Sequence, residues 1–591
     1  MSRRRLMEVA LGNADPDILI VNARLINVYS AEIIAGATVA VADGRIAWVG
    51  QGERRAGSGT HVIDAQGDFL SPTFVDMHGH ADFLASPVAL AEALVPLGTS
   101  AMLTDTHDAV GALGRRGLEL MLEATESLPF HYYVTVPAHC PPLPEVEGED
   151  LLPLEDFRSF FRHPRVLAVS ELSGWTRLVQ GDPVLLAKVE AAREAGLRLE
   201  GHAAGCSRDK LESLVAVGVS SCHESISAGD VLERLRLGMA TALRHGSIRA
   251  DLDDLGPAFA ENPHLDTSRA MLTPDWMSPQ DVLRDGYMEH VVAKAIAVGI
   301  PPLKAYQMAT INPATYLRVE HEIGGIGPGR QADMMLLRDM AAPRPHLVVL
   351  GGRVVARDGV LLQRFRPALP VPVSDWPVHR KPSLPVLPCA FRIAGGEYQA
   401  EIPGMLMVNK TITRPVRLRV SLREGFLESR EALCLEGPGE GGPVSVIYLS
   451  MWSHIRQRWL TVVLSGFGAE VGGLATSVVH ETHAPLVLGS DPSDMALAVN
   501  QVFAQGGGVT LVEAGRVRQR VVLDGGGLLS SGALEQVAGE MQQLNDYLRE
   551  RGCPWDDPFF GLNFLSFTGL PYVRLTPSGL LDSKRGLVGY P

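Results

Sequence analysis

The chain has 591 residues, and a prior of roughly one domain per 150 residues allows two to four units, an α/β barrel alone taking about 250. Hydrophobic residues make up 46% and charged residues 20%, which excludes a disordered or fibrous chain. Lys plus Arg is 53 against 67 for Asp plus Glu, a net charge of −14 that argues against a non-specific nucleic-acid binder and leaves a small neutral substrate open.

Met1–Arg5 carries three arginines, but Leu6–Asp17 holds no apolar run long enough for a signal-peptide core. Nowhere do about 18 consecutive apolar residues occur, so no membrane span is expected. Ile18–Leu25, Thr38–Val41 and Arg45–Val49 read as short strands, separated by Gly36 and Asp43-Gly44. Strand-like text returns at Asp333–Leu337 and His346–Val355, so a small β-sandwich built from both flanks (1–68 and 318–380) is expected. Between them, 69–317 alternates brief apolar strands with amphipathic helices. Leu185–Ala195 reads as a helix stopped by Gly196, Leu197–Glu200 as a strand, and Lys210–Val217 as a helix stopped by Gly218. Alternation at this spacing implies parallel βαβ units, and about eight fit the length, which predicts a (β/α)8 barrel. The proline-rich stretch Arg364–Pro388 marks a boundary to a third, α/β region (381–591). Its clearest element is a helix after Ser531, with Leu534, Val537, Met541, Leu544 and Leu548 at steps of three and four. The six cysteines form no C-x-x-C pair and read as reduced thiols of a cytoplasmic protein.

The strongest local signal is Val75-Asp-Met-His-Gly-His80, closing an apolar strand that begins near Phe69. Side chains two apart on a strand share a face, so His78 and His80 can bind one ion together. Glu171, His202, His223 and Asp275 also close or follow strand-like runs, at the end where barrel active sites are assembled. Together these six residues would hold two divalent ions, with manganese, iron and zinc all suited to imidazole and carboxylate.

The pattern resembles the amidohydrolase superfamily and, more closely, the bacterial adenine deaminases, over nearly the whole chain. Leu70–His80 is similar to that family's proline-to-H-x-H strand, and Leu103–Asp108 to its D-P-H-E strand. Gly201-His-Ala203 matches its G-H-A motif, and Ser221-Cys-His-Glu224 its D-H-E. Met308–Ala314 and Gly327–Asp333 resemble signatures shared across the superfamily. Val479–His483, Met495–Asn500, Gly506–Gly508 and Asn563–Phe567 resemble the C-terminal domain of adenine deaminases. The resemblance implies that His78 and His80 bind the first ion, Glu171 bridges, His202 and His223 hold the second, and Asp275 completes the first. Lys188 lies inside a helical pattern, which disfavours a carboxylated-lysine bridge. Asp82 is expected to contact substrate; His107 is expected to contact substrate or a further cation, or to be a strand-end histidine satisfied by backbone, the simpler reading. Four neighbours depart from the family pattern: Ala81–Leu84 replaces I-E-S-S, Pro274 stands before Asp275 in place of an aspartate, Cys222 precedes His223 and Asp108 follows His107.

The implied activity is hydrolytic deamination of adenine or a related 6-aminopurine, with Asp275 carrying a proton and Glu224 either protonating a ring nitrogen or orienting a ligand histidine. A homodimer or higher homo-oligomer is the implied assembly. Two other readings remain at this point: hydrolysis of a cyclic amide or N-acyl group, and a silent metal-binding homologue. His480-Glu-Thr-His483 is one residue too tight for the helical H-E-x-x-H of zinc proteases and is expected to cap or gate the barrel or to be structural, a separate metal site being the lesser alternative.

Overall fold

A computed structural model describes residues 3–52, 54–365, 371–393, 398–570, 572–583 and 586–589. Eight short parallel strands form the barrel: β1 (Phe74–Gly79), β2 (Thr99–Thr104), β3 (His131–Val136), β4 (Val166–Val169), β5 (Arg198–Leu199), β6 (Ser221–Cys222), β7 (Ala240–Arg244) and β8 (Ala270–Thr273). β1 to β5 pair in sequence order, as do β6 to β8. The two arcs meet through Ser220 N–H donating to Leu199 O (2.9 Å) and through a parallel bridge between Gly79 and Asp275. β1 and β2 are buried along their whole length, because helices cover the outer face of the barrel and side chains fill its inner one. The helices Pro183–Glu194 and Arg208–Ala216 fall where the periodicity places them.

Both flanks contribute to one nine-stranded sheet, joined where Phe69–Pro72 pairs with Met334–Leu337. It encloses its own core of Ile20, Leu25, Val39, Leu336 and Val349. Phe69–Pro72 therefore lies in this sheet, and the barrel begins at Phe74. His346–Val355 is two strands, Pro345–Leu350 and Arg353–Arg357, turned at Gly351-Gly352, both with positive φ.

The last region is built on a ten-stranded mixed sheet with the helices Pro492–Ala504 and Leu534–Glu550. All five periodic apolar residues of the second helix are buried. This region touches the barrel mouth directly: Leu529–Ser530 pairs with Leu84–Ala85. Arg380, wholly buried, donates to the carbonyls of Ala112 (3.3 Å), His483 (3.1 Å), Gly526 (2.6 Å) and Ser477 (2.5 Å). Burial pushes its guanidinium down to about 9. Among the described residues no helix is long and apolar enough to cross a membrane.

Candidate active site

The C-terminal ends of the barrel strands converge. His78 and His80 leave β1 on one face, and the His78 ring stacks on that of His223 with centroids 4.1 Å apart. His78 Nε2 lies 3.5 Å from both Glu171 Oε2 and Asp275 Oδ1, and His80 Nε2 lies 3.2 Å from Asp275 Oδ1. Glu171 Oε2 is 2.9 Å from His202 Nδ1 and 3.1 Å from His223 Nε2. The six expected donors thus stand together at one end of the barrel, the Glu171 oxygen in their midst. His78 is fully buried and neither ring nitrogen has a hydrogen-bond partner. A buried, unpartnered Nε2 at 3.5 Å from two carboxylates fits a cation, because burying such an atom unpaired is costly.

Pro274 does not turn Asp275 away. Asp275 takes a left-handed conformation (φ 65°), its N–H donates to Thr273 Oγ1 (2.9 Å), and its carboxylate swings back over the barrel. Cys222 also fills its place: its thiol accepts the Glu224 N–H at 3.4 Å, a longer version of the bond an aspartate oxygen makes in such a turn.

Arg244, at the end of β7, was not among the expected residues. Its Nη1 donates to Asp275 Oδ2 at 2.9 Å and also to Glu224 Oε1. Burial alone would raise the Glu224 carboxyl, but the charges of His202 and Arg244 outweigh it and hold it at about 2. The signal for it in the sequence is position: a cation closing the buried run Ala240–Leu243 at a strand end.

The two expected substrate contacts are buried beside the donors. His107 opens the helix His107–Leu113; its Nδ1 is 3.0 Å from Asp105 Oδ1, while its buried Nε2 is unpartnered. Burial opposes the imidazolium, yet the charge of Asp105 raises His107 to about 10. Asp82 Oδ2 accepts the Ala109 N–H (2.9 Å); burial, then the nearby charge of Asp108, pushes its carboxyl up to about 8. Lys188 sits elsewhere, donating to Asp150 Oδ2 (2.6 Å) and Leu152 O (2.7 Å), so it offers no bridge.

The H-E-x-H segment reaches the barrel mouth from the last region. Asp108 Oδ1 accepts from Glu481 N–H (2.9 Å) and lies 2.7 Å from His483 Nε2, and Asp108 Oδ2 is 3.2 Å from His480 Nδ1. A Cβ on Gly111 would stand 1.9 Å from the Glu481 carbonyl oxygen, so only glycine lets the segment lie this close. Beside it a narrow slot opens against His80, walled by Phe83, Trp276, His480, Phe560 and Phe564.

Residues 69–355 match the amidohydrolase family and residues 441–586 the adenine deaminase C-terminal domain. An adenine deaminase of Cenarchaeum symbiosum is 33% identical over 587 residues, spanning 98% of this chain and 93% of that protein. The chain belongs to the adenine deaminase family. Relatives in Moorella thermoacetica (32% identical) and Rhizobium meliloti (named adenine deaminase 3, 30%) also align over 98% of this chain, covering 96% and 97% of those proteins. By this membership it is a hydrolase acting on carbon–nitrogen bonds. Among solved structures, a β-aspartyl dipeptidase of Fervidobacterium islandicum superposes with a TM-score of 0.45 at 15% identity, covering 58% of this chain and 98% of that one.

Proposed function

We propose that this chain converts adenine, or a closely related 6-aminopurine, to the 6-oxo base and ammonia, using two divalent ions. The observation that carries the reading is six metal-ligand side chains converging beside a slot lined by aromatic rings, in a chain whose full-length relatives are named adenine deaminases. His78, His80 and Asp275 would hold one ion and His202 and His223 the other, with Glu171 between them. The imidazole–carboxylate set accepts manganese, iron or zinc. When bound, such ions supply acidified water, its pKa lowered from about 15.7 to near 7.

The remaining work falls to the chain. Attack of water on C6 makes that carbon tetrahedral and leaves two protons to place. Asp275, its Oδ2 held by Arg244, takes one and returns it to the amino nitrogen as the C–N bond breaks. Glu224, ionised and oriented by the same arginine, carries the other to a ring nitrogen, where it stays in the product. Water's two protons thus end on ammonia and on the base. Asp82 and His107, buried beside the donors, are the proposed contacts to the base. Manganese-reconstituted protein should release ammonia from adenine, and turnover of an amide panel without ammonia release from any aminopurine would refute the reading. The unpaired cysteines support the cytoplasm as its compartment. A homodimer or higher homo-oligomer, paired through the outer barrel helices, is the proposed assembly, which light scattering measures.

A further inference from the structure

Among the described residues, the slot beside His80 carries a buried polar atom with no hydrogen-bond partner. Its walls are rings from two regions: Phe83 and Trp276 from the barrel, His480, Phe560 and Phe564 from the last region. The Trp276 and Phe560 rings lie 5.6 Å apart at 32°, and those of His480 and Phe564 lie 5.4 Å apart. Such walls suit a flat heteroaromatic. The slot encloses about 20 Å³ of free space, room for one water, so a base enters only as the rings part. Of the polar side chains here, Asp108 already faces His480, His483 and the Glu481 N–H. Asn563 is different. Its Nδ2 donates to the Phe559 carbonyl (3.1 Å), which sets the orientation of the amide. Its Oδ1 is then an acceptor, buried and without a donor, in a residue 2% exposed. A buried amide oxygen left unpaired at a cavity wall points to a ligand N–H.

The reading of the substrate as a 6-aminopurine, on which this inference rests, sets the direction of the base. C6 must face His80 and Asp275, so the opposite edge, carrying the N9–H of the imidazole half, points away from them. We propose that Asn563 Oδ1 accepts this N–H, so that the last region orients the base and selects free bases over N9-substituted ones. A substituent at N9 removes the donor and places bulk against the amide, leaving Oδ1 unpaired in the complex.

The test is calorimetric binding of adenine and 9-methyladenine to manganese-reconstituted Asp275→Asn protein, with and without Asn563→Ala. The parent should bind adenine at least about tenfold more tightly than 9-methyladenine; Asn563→Ala should weaken adenine about tenfold and leave 9-methyladenine within about threefold. Equal affinities in the parent, no adenine binding, or a preference that survives Asn563→Ala would overturn the proposal. If circular dichroism shows Asn563→Ala unfolded, the affinity ratio in the parent decides. Ammonia release is measured separately on the wild-type protein, so a failure of the deaminase reading is seen there and not in the binding contrast.

Discussion

Replacing Asp275 by asparagine preserves shape and removes one charge and one basic oxygen. In the structure Oδ1 stands 3.2 Å from His80 Nε2 and 3.5 Å from His78 Nε2, while Oδ2 accepts from Arg244 at 2.9 Å. The amide has one oxygen for these two duties, and it cannot take a proton from water or return one to the departing nitrogen. Proton transfer of this kind contributes about 10²–10⁴ in rate, or about 2.7–5.4 kcal/mol at 1.36 kcal/mol per decade. Arg244 keeps Glu224 as a partner, and the four histidines with Glu171 remain as donors, so most of the metal and the fold should persist. Ammonia release per metal-loaded chain, with elemental analysis on the same sample, should therefore fall at least about 100-fold. A variant keeping more than about a tenth of the wild-type rate would show that another group carries the proton, because a lost general base costs at least about 10².

The purified protein, reconstituted with manganese, iron or zinc, should carry up to two divalent ions per chain; only trace metal by elemental analysis would refute the binuclear reading. Glu171→Gln should lose metal and activity together, since a neutral amide cannot replace the charge whose oxygen stands amid His78, His202 and His223; two retained ions would show that Glu171 is not the bridge. His131 Nε2, 2.8 Å from Asp333 Oδ2, ties β3 to the flanking sheet. Burial opposes the His131 charge, but the Asp333 hydrogen bond and charge raise the pKa above 6.5, so the stabilisation is fully present below that value and fades as pH rises through the raised one. His131→Gln should accordingly cost about 1–2 kcal/mol in urea unfolding at pH 6 and less at pH 9, and an equal cost at both would refute the charge contribution.

The strand–helix alternation and the six donors were legible because both follow from short-range regularities. Side chains two apart share a strand face, and barrel strands end where the polar run begins, so His78, His80, Glu171, His202, His223 and Asp275 could be picked out in order along the chain. The buried stripe of Leu534–Glu550 was legible from its helical period for the same reason. Tertiary structure alone decided which distant groups meet. Arg244 reaches Glu224 and Asp275 only after β6, β7 and β8 are paired. Phe69–Pro72 reads as the start of the barrel, yet it pairs in the flanking sheet, because the pairing of a short apolar strand depends on which neighbours the chain brings beside it. His480-Glu-Thr-His483 meets Asp108 across more than 370 residues, and a short polar motif carries no local periodicity that could name such a partner. The same closure leaves Asn563 Oδ1 unpaired at the slot, a property created by folding, since in the open chain water would satisfy that oxygen.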